Sequence, residues 1–181
     1  MQDFLRSHLN WLQKRISELP ESTVFAPQAI IPLRGEPVVI VHDSALRGPA
    51  RLGEKTIVMG GDVRHLPRRL TEFLKKEARC DFEVACARYA QQLNVQIRRL
   101  QLRDTITRWG SCNRSGTLCF SWRLIFAPPF VLDYLAAHEV AHLRHMDHSK
   151  KFWALVEDIC PRTQEARAWL KTNGNALLAI G

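Results

Sequence analysis

Apolar side chains at Phe4, Leu5, Leu9, Leu12, Ile16 and Leu19 recur at helical spacing, which predicts an amphipathic helix over residues 3–19 that ends before Pro20 and packs on the body of the protein. Proline and glycine then punctuate short β-branched runs at residues 37–42 and 56–59. Arg47-Gly48-Pro49 separates them and Gly60-Gly61 follows, a pattern that predicts a small antiparallel β layer. Leu70, Phe73, Leu74, Ala78, Phe82, Ala85 and Tyr89 form the stripe of one long helix over residues 66–93, with Cys80-Asp81 as the place where it would break. Alternation at 95–102 predicts a strand. A second strand is expected at 117–122, after the turn Asn113-Arg114-Ser115-Gly116.

Pro128-Pro129 suits a first helical turn, and Val131, Leu135, His138 and His142 share one stripe, so a helix is expected over about 129–145. Phe152, Leu155, Val156 and Ile159 repeat at i, i+3, i+4 and i+7, which places a further helix after an N-cap at Asp147 or Ser149. The sum is an α+β chain. It divides into residues 1–63, a helix with a small β-rich subdomain packed on the body, and residues 64–181, which carry the chemistry, the two expected to form one compact unit.

That chemistry centres on His138-Glu139-Val140-Ala141-His142. Residues four apart on a helix lie nearly in register about 6 Å along its axis, so both imidazoles reach one ion while Glu139 stands beside them, free to take a proton from water. Zinc accepts neutral imidazole nitrogen, and a catalytic site typically takes three protein ligands and keeps a fourth position for water. The third ligand must come from beyond the helix. His148 becomes reachable if the chain turns after about residue 145, and its spacing from His142 matches the HExxHxxGxxH pattern, although His145 stands where that pattern has glycine. Glu157 on the next helix and His145 are the alternatives. Tyr134 and Arg123 are candidates for stabilising a developing oxyanion, each with a simpler role in packing or pairing. Trp109 and Trp122 read as core or cleft wall, Ser149 as a helix cap, and Cys112 as a loop thiol in a polar turn that could approach the metal as a regulatory ligand. The strand containing Leu118, Cys119, Phe120 and Ser121 directly precedes the His138 helix. If its edge is exposed, it would hold an extended peptide by backbone hydrogen bonds.

Composition narrows the class. At 181 residues and 46% hydrophobic, the chain supports one well-buried core. No apolar run resembles a signal peptide or spans a bilayer, so a soluble, cytoplasmic protein without a membrane partner is expected. Five cysteines with no C-x-x-C pair argue against a disulfide framework or a zinc ribbon. The net charge of +8 is concentrated in residues 64–123, with 13 basic and 5 acidic side chains, while the flanking segments are balanced. Arg64, Arg68, Arg69, Lys75, Lys76, Arg79, Arg98, Arg99, Arg103, Arg108, Arg114 and Arg123 would form a face for nucleic acid or acidic protein, or simply a solvated surface.

Arg108-Trp109-Gly110-Ser111-Cys112, Phe120-Ser121-Trp122-Arg123-Leu124, Ala127-Pro128, Leu132-Asp133-Tyr134, the His138 motif and His148-Ser149 followed by Phe152-Trp153 occur in that order. Together they resemble the YgjP-like metallopeptidases, relatives of the SprT-like zincins. The similarity extends to residues 4–11 and to Ile31-Pro32-Leu33-Arg34-Gly35; Asp147 and Asn113 depart from the family's usual Asn and Ser. The resemblance implies a zincin-like core, one zinc ion on His138, His142 and His148, and Glu139 as general base. Some SprT-like proteins process DNA-bound proteins, which bears on the basic segment without assigning a substrate. The expected function is zinc-dependent endopeptidase hydrolysis of a peptide or protein. Its rival is a basic nucleic-acid- or protein-binding module whose metal site is chiefly structural. Substrate, cleavage preference and oligomeric state are not written in the sequence.

Overall fold

The structure is a computed structural model that describes residues 22–181; the helix expected at 3–19 lies outside the described residues. Strands β1 (Ile30–Leu33), β2 (Glu36–Asp43), β3 (Arg51–Leu52) and β4 (Thr56–Gly60) form one sheet in the order β1-β2-β4-β3. The β1–β2 hairpin turns at Arg34 and Gly35, whose φ values of 53° and 83° fit a two-residue primed turn. Its tip is clamped: the Arg34 and Gly35 amides donate to the Ile125 and Phe126 carbonyls at 2.7 and 3.2 Å. The Arg34 guanidinium donates to Asp81 at 2.8 Å and Glu77 at 3.0 Å on the long helix. That pairing accounts for the Ile31–Gly35 motif.

The β layer is mixed and not antiparallel. β2 and β4, the two runs read from the sequence, are neighbours in parallel register, Ile40 opposite Ile57. A parallel pair needs a connection of about a dozen residues, and segment 44–55 supplies it, carrying β3 out to pair antiparallel on the far side of β4.

After a 3-10 turn at Val63–His65, helix α1 runs unbroken from Leu66 to Gln92. No break occurs at Cys80-Asp81, because Ala78, Phe82 and Ala85 carry the buried stripe straight through and Phe82 stacks on Phe120 with centroids 4.1 Å apart. Asn94, at φ 48°, reverses the chain. The next strand, β5 (Arg99–Arg103), starts later than its alternation suggested, since the Val95 amide still bonds back to Ala90. With β6 (Gly110–Cys112) and β7 (Thr117–Ser121) it forms a second sheet in the order β5-β7-β6, β7 parallel to β5 and antiparallel to β6. The expected turn at 113–116 is present, with the Asn113 carboxamide accepting from the Ser115 and Thr117 amides.

A 3-10 segment, Trp122–Phe126, leads into α2 (Pro129–Ala141), followed by α3 (Lys150–Ile159) and α4 (Thr163–Leu178). Helix α2 is apolar around nearly its whole circumference and sits in the middle of the molecule, packed on α1, α3, α4 and β6. Asp133 fastens it to α1 by accepting from the Tyr89 hydroxyl at 2.7 Å and from Arg88. Ile31, Ile40, Ile57 and Met59 share one core with the buried faces of α1, β7 and α2. Among the described residues no helix is long and apolar enough to cross a membrane.

Candidate metal centre

Helix α2 ends four residues earlier than its apolar stripe suggested. His142 is its C-cap, and the Leu143 and Arg144 amides close tight turns onto Val140 and Ala141. Arg144 ties the turn to the Leu93 carbonyl, donating through Nε at 3.0 Å. The chain then doubles back, and Ser149 caps α3 by accepting from the Phe152 amide at 3.5 Å. The reversal swings His148 over the α2 pair. Ligand atoms of His138, His142 and His148 lie within 4.8 Å of one another, and the Nε2 atoms of His138 and His148 are 3.1 Å apart.

These residues fit a tetrahedral metal ion. Bonds of about 2.0–2.1 Å would separate two ligand nitrogens by about 3.3–3.4 Å, close to the spacing found. The outer nitrogens have partners of their own. His142 Nδ1 faces the His145 carbonyl at 3.0 Å and His138 Nδ1 faces the Tyr134 hydroxyl at 3.4 Å, which leaves both Nε2 atoms turned inward. Burial, then repulsion from His142 and His148, pushes the His138 pKa down to about 3, and burial lowers that of His142, so both rings are neutral and able to ligate at pH 7. Phe152 stacks on His142 at 4.4 Å and Trp153 lies along His148 at 5.7 Å, fixing the ring planes.

Glu139, one residue round the helix from His138, lies against Gly110 of β6. It is 4% exposed, its Oε2 has no hydrogen-bond partner, and burial pushes its carboxyl up to about 8, opposed by the charge of Arg108. Gly110 makes room for it. A Cβ there would sit 2.9 Å from Glu139 Cδ and Cγ and closer still to Oε1. Gly110→Ala is therefore expected to displace the carboxylate and lower kcat by about 10²-fold, the scale of a 1 Å misplacement, while bound metal stays unchanged. Steady-state kinetics beside metal analysis checks this.

Other sequence candidates fall elsewhere. Glu157 is exposed, accepts a hydrogen bond from Gln164, and does not belong to the histidine cluster. His145 contributes its carbonyl and not its ring. Tyr134 is buried with its hydroxyl 3.4 Å from the rear nitrogen of His138, which suits it to orient that ring. Arg123 is committed to structure: it donates to Asp104 at 2.6 Å and to the Leu177 and Ile180 carbonyls at the end of α4. Cys112 is outside the histidine cluster; its thiol donates to the Asn113 carbonyl at 3.5 Å, and burial followed by the Glu139 charge raises its pKa to about 11. Trp122 is core at 1% exposed, and Trp109 packs over Gly174 of α4, where an added Cβ would sit 3.2 Å from its ring.

The peptide-holding strand needs correction. β7 is the middle strand, paired on both edges, and Leu118, Phe120 and Ser121 are buried, so it offers no free edge. The outer strand beside Glu139 is β6, whose far edge has no strand partner among the described residues. Gly110, Phe152, Trp153 and the His145 carbonyl had no assigned role in the sequence. The only signal was the presence of three of them in the family-like motifs. The basic excess is partly spent in pairs with acids: Arg64 with Asp62, Arg68 with Glu72, Arg79 with Glu83 and Arg123 with Asp104.

A search of curated proteins gives no match. Among solved structures, the metallopeptidase zymogen abylysin of Pyrococcus abyssi is similar over 50% of this chain and 93% of its own, at 23% identity and a TM-score of 0.45. The model of the YgjP-like metallopeptidase domain matches residues 1–173, and the chain belongs to that family.

Proposed function

We propose that the protein is a zinc-dependent endopeptidase in which His138, His142 and His148 hold one zinc ion and Glu139 is the general base. The observation that carries this reading is the convergence of three imidazoles, two of them held neutral, beside a buried carboxylate with an unpartnered oxygen. Zinc bound there would supply Lewis acidity toward a peptide carbonyl and toward water. Glu139 takes the proton of the attacking water on Oε2 and passes it to the leaving amine. A cation held at the neighbouring imidazoles would favour the ionised form of this buried carboxylate, the form able to accept a proton. β6 orients the substrate. A peptide paired on its outer edge, which has no strand partner among the described residues, runs past Gly110, the point where strand and carboxylate meet.

Metal analysis combined with unbiased peptide-cleavage profiling tests the reading. The expected result is one zinc per chain and cleavage that a chelator abolishes and added zinc restores. A correctly folded, zinc-loaded protein that cuts nothing across a broad panel, with or without DNA, would instead support a binding module with a structural metal.

A further inference from the structure

The second sheet has a second face. Leu118 and Phe120 of β7 point into the core, so Thr117 and Cys119 point away from it, and the register places Gln101 of β5 and Ser111 of β6 on either side of Cys119. On this outer face lies a cavity of about 280 Å³, lined by Gln101, Arg103, Thr105, Arg108, Ser111 and Cys119 among others. That volume, at the lower end for a small-molecule site, readily admits a side chain. No acidic residue lines it. Arg103 and Arg108 are exposed and have no carboxylate partner among the described residues, and the nearby Asp104 is already taken by Arg123. One cation has a side-chain contact and the other a fixed backbone. Arg103 donates to the Gln101 side-chain carbonyl at 3.3 Å, and the Arg108 backbone is fixed by the Thr105 hydroxyl donating to its carbonyl at 2.7 Å. The adjoining Trp109 carbonyl accepts from the Ser121 amide at 2.9 Å.

We propose that this groove is a subsite that selects an acidic side chain of the substrate next to the scissile bond, with Arg103 and Arg108 as its cations. The proposal rests on the peptidase reading above. Gly110 supplies the link, because it lines the groove and also abuts the Glu139 carboxylate. Side chains of an extended peptide alternate between the faces of the sheet it joins. When the reacting peptide bond is presented on the Glu139 face of β6, a neighbouring side chain is sent to the outer face. There it meets two guanidinium groups, whose forked donors match a carboxylate better than any neutral side chain. Nucleic acid fits less well, since Arg64, Arg68 and Arg79, which would extend a basic track, pair with acids.

The test uses peptide libraries matched except for Glu, Gln or Lys beside the scissile bond. Wild type is expected to favour Glu over Gln by at least about tenfold in kcat/KM, the scale of one charge-assisted hydrogen bond. An R103Q/R108Q double variant should bring that ratio close to one, and an R103E/R108E variant should turn it toward Lys. A wild-type ratio near one, or a ratio the double variant leaves intact, overturns the proposal. Labelled decapeptides carrying a single Glu, Gln or Lys are also titrated into Glu139→Gln. Glu-selective binding that disappears in the arginine variants supports the groove even if no peptide is ever cut, so failure of the peptidase reading is seen separately. A single-stranded oligonucleotide that displaces the Glu peptide at lower concentration, and loses binding in the same variants, would assign the groove to nucleic acid and overturn the peptide subsite.

Discussion

Replacing Glu139 with Gln is expected to lower kcat by about 10²–10⁴-fold, the range for removing a general base, with zinc content unchanged. The carboxamide keeps the shape of the side chain and loses only the ability to accept a proton, so metal analysis and steady-state kinetics on one preparation separate the base role from a ligand role. A variant that loses zinc with activity, or one that keeps wild-type kcat, would remove Glu139 from the mechanism. The same substitution has a signature in metal-free protein. The folded-state pKa of Glu139 is raised from 4.5 to about 8, so the unfolded chain releases its proton first and stability falls as pH rises through that window. His138 works on the other side: its pKa is lowered from 6.5 to about 3, so its contribution is intact above 6.5 and is lost as pH falls toward 3. Their slopes oppose each other between 4.5 and 6.5, where metal-free protein is expected to be most stable as far as these two groups decide. Thermal midpoints measured in chelator should decline from 6.5 to 8 in wild type and stay level in Glu139→Gln.

His148→Ala should weaken zinc binding by at least about 10²-fold, beyond what loss of a supporting partner alone produces, and abolish cleavage with it. The geometric reason is that His148 is the one member of the triad from beyond α2 and its C-cap, and its Nε2 lies 3.1 Å from that of His138. Competition with a chromogenic chelator gives the affinity. Glu157→Ala is the control: its carboxylate belongs with Gln164, outside the histidine cluster, and its zinc affinity should match wild type. Full retention of metal by the His148 variant would return the third-ligand question to the other candidates. Because His148 is exposed and caps no helix, its loss should leave the fold intact, and circular dichroism checks that.

The elements legible in the sequence are those whose own side chains carry the signal. The stripe of α1 reads as a long helix because Leu66, Leu70, Leu74, Ala78 and Phe82 fall four apart. Helix α4 left no comparable mark, since three of its four buried residues, Thr163, Ala166 and Gly174, are small or polar and its packing depends on Trp109 approaching Gly174. The order of strands was likewise silent. Alternation gives a strand and its two faces, but not whether β2 meets β4 parallel or antiparallel, or that β7 is flanked on both sides. Hence Leu118–Ser121 read as a candidate edge while the available edge belonged to three residues, Gly110–Cys112, too short to alternate.

The same division runs through the site. The helical period alone sets His138 and His142 on one face with Glu139 beside them, because those distances are fixed by local geometry. The third imidazole depends on the chain reversing between two helices, while the clearance at Gly110 and the commitment of Arg123 to Asp104 and the end of α4 join residues far apart in the chain. A sequence pattern reports what one element presents to its surroundings. Where α2 stops, how the chain reverses after Ala141, and which strand lies against the carboxylate depend on packing among elements, and only the tertiary structure decides them.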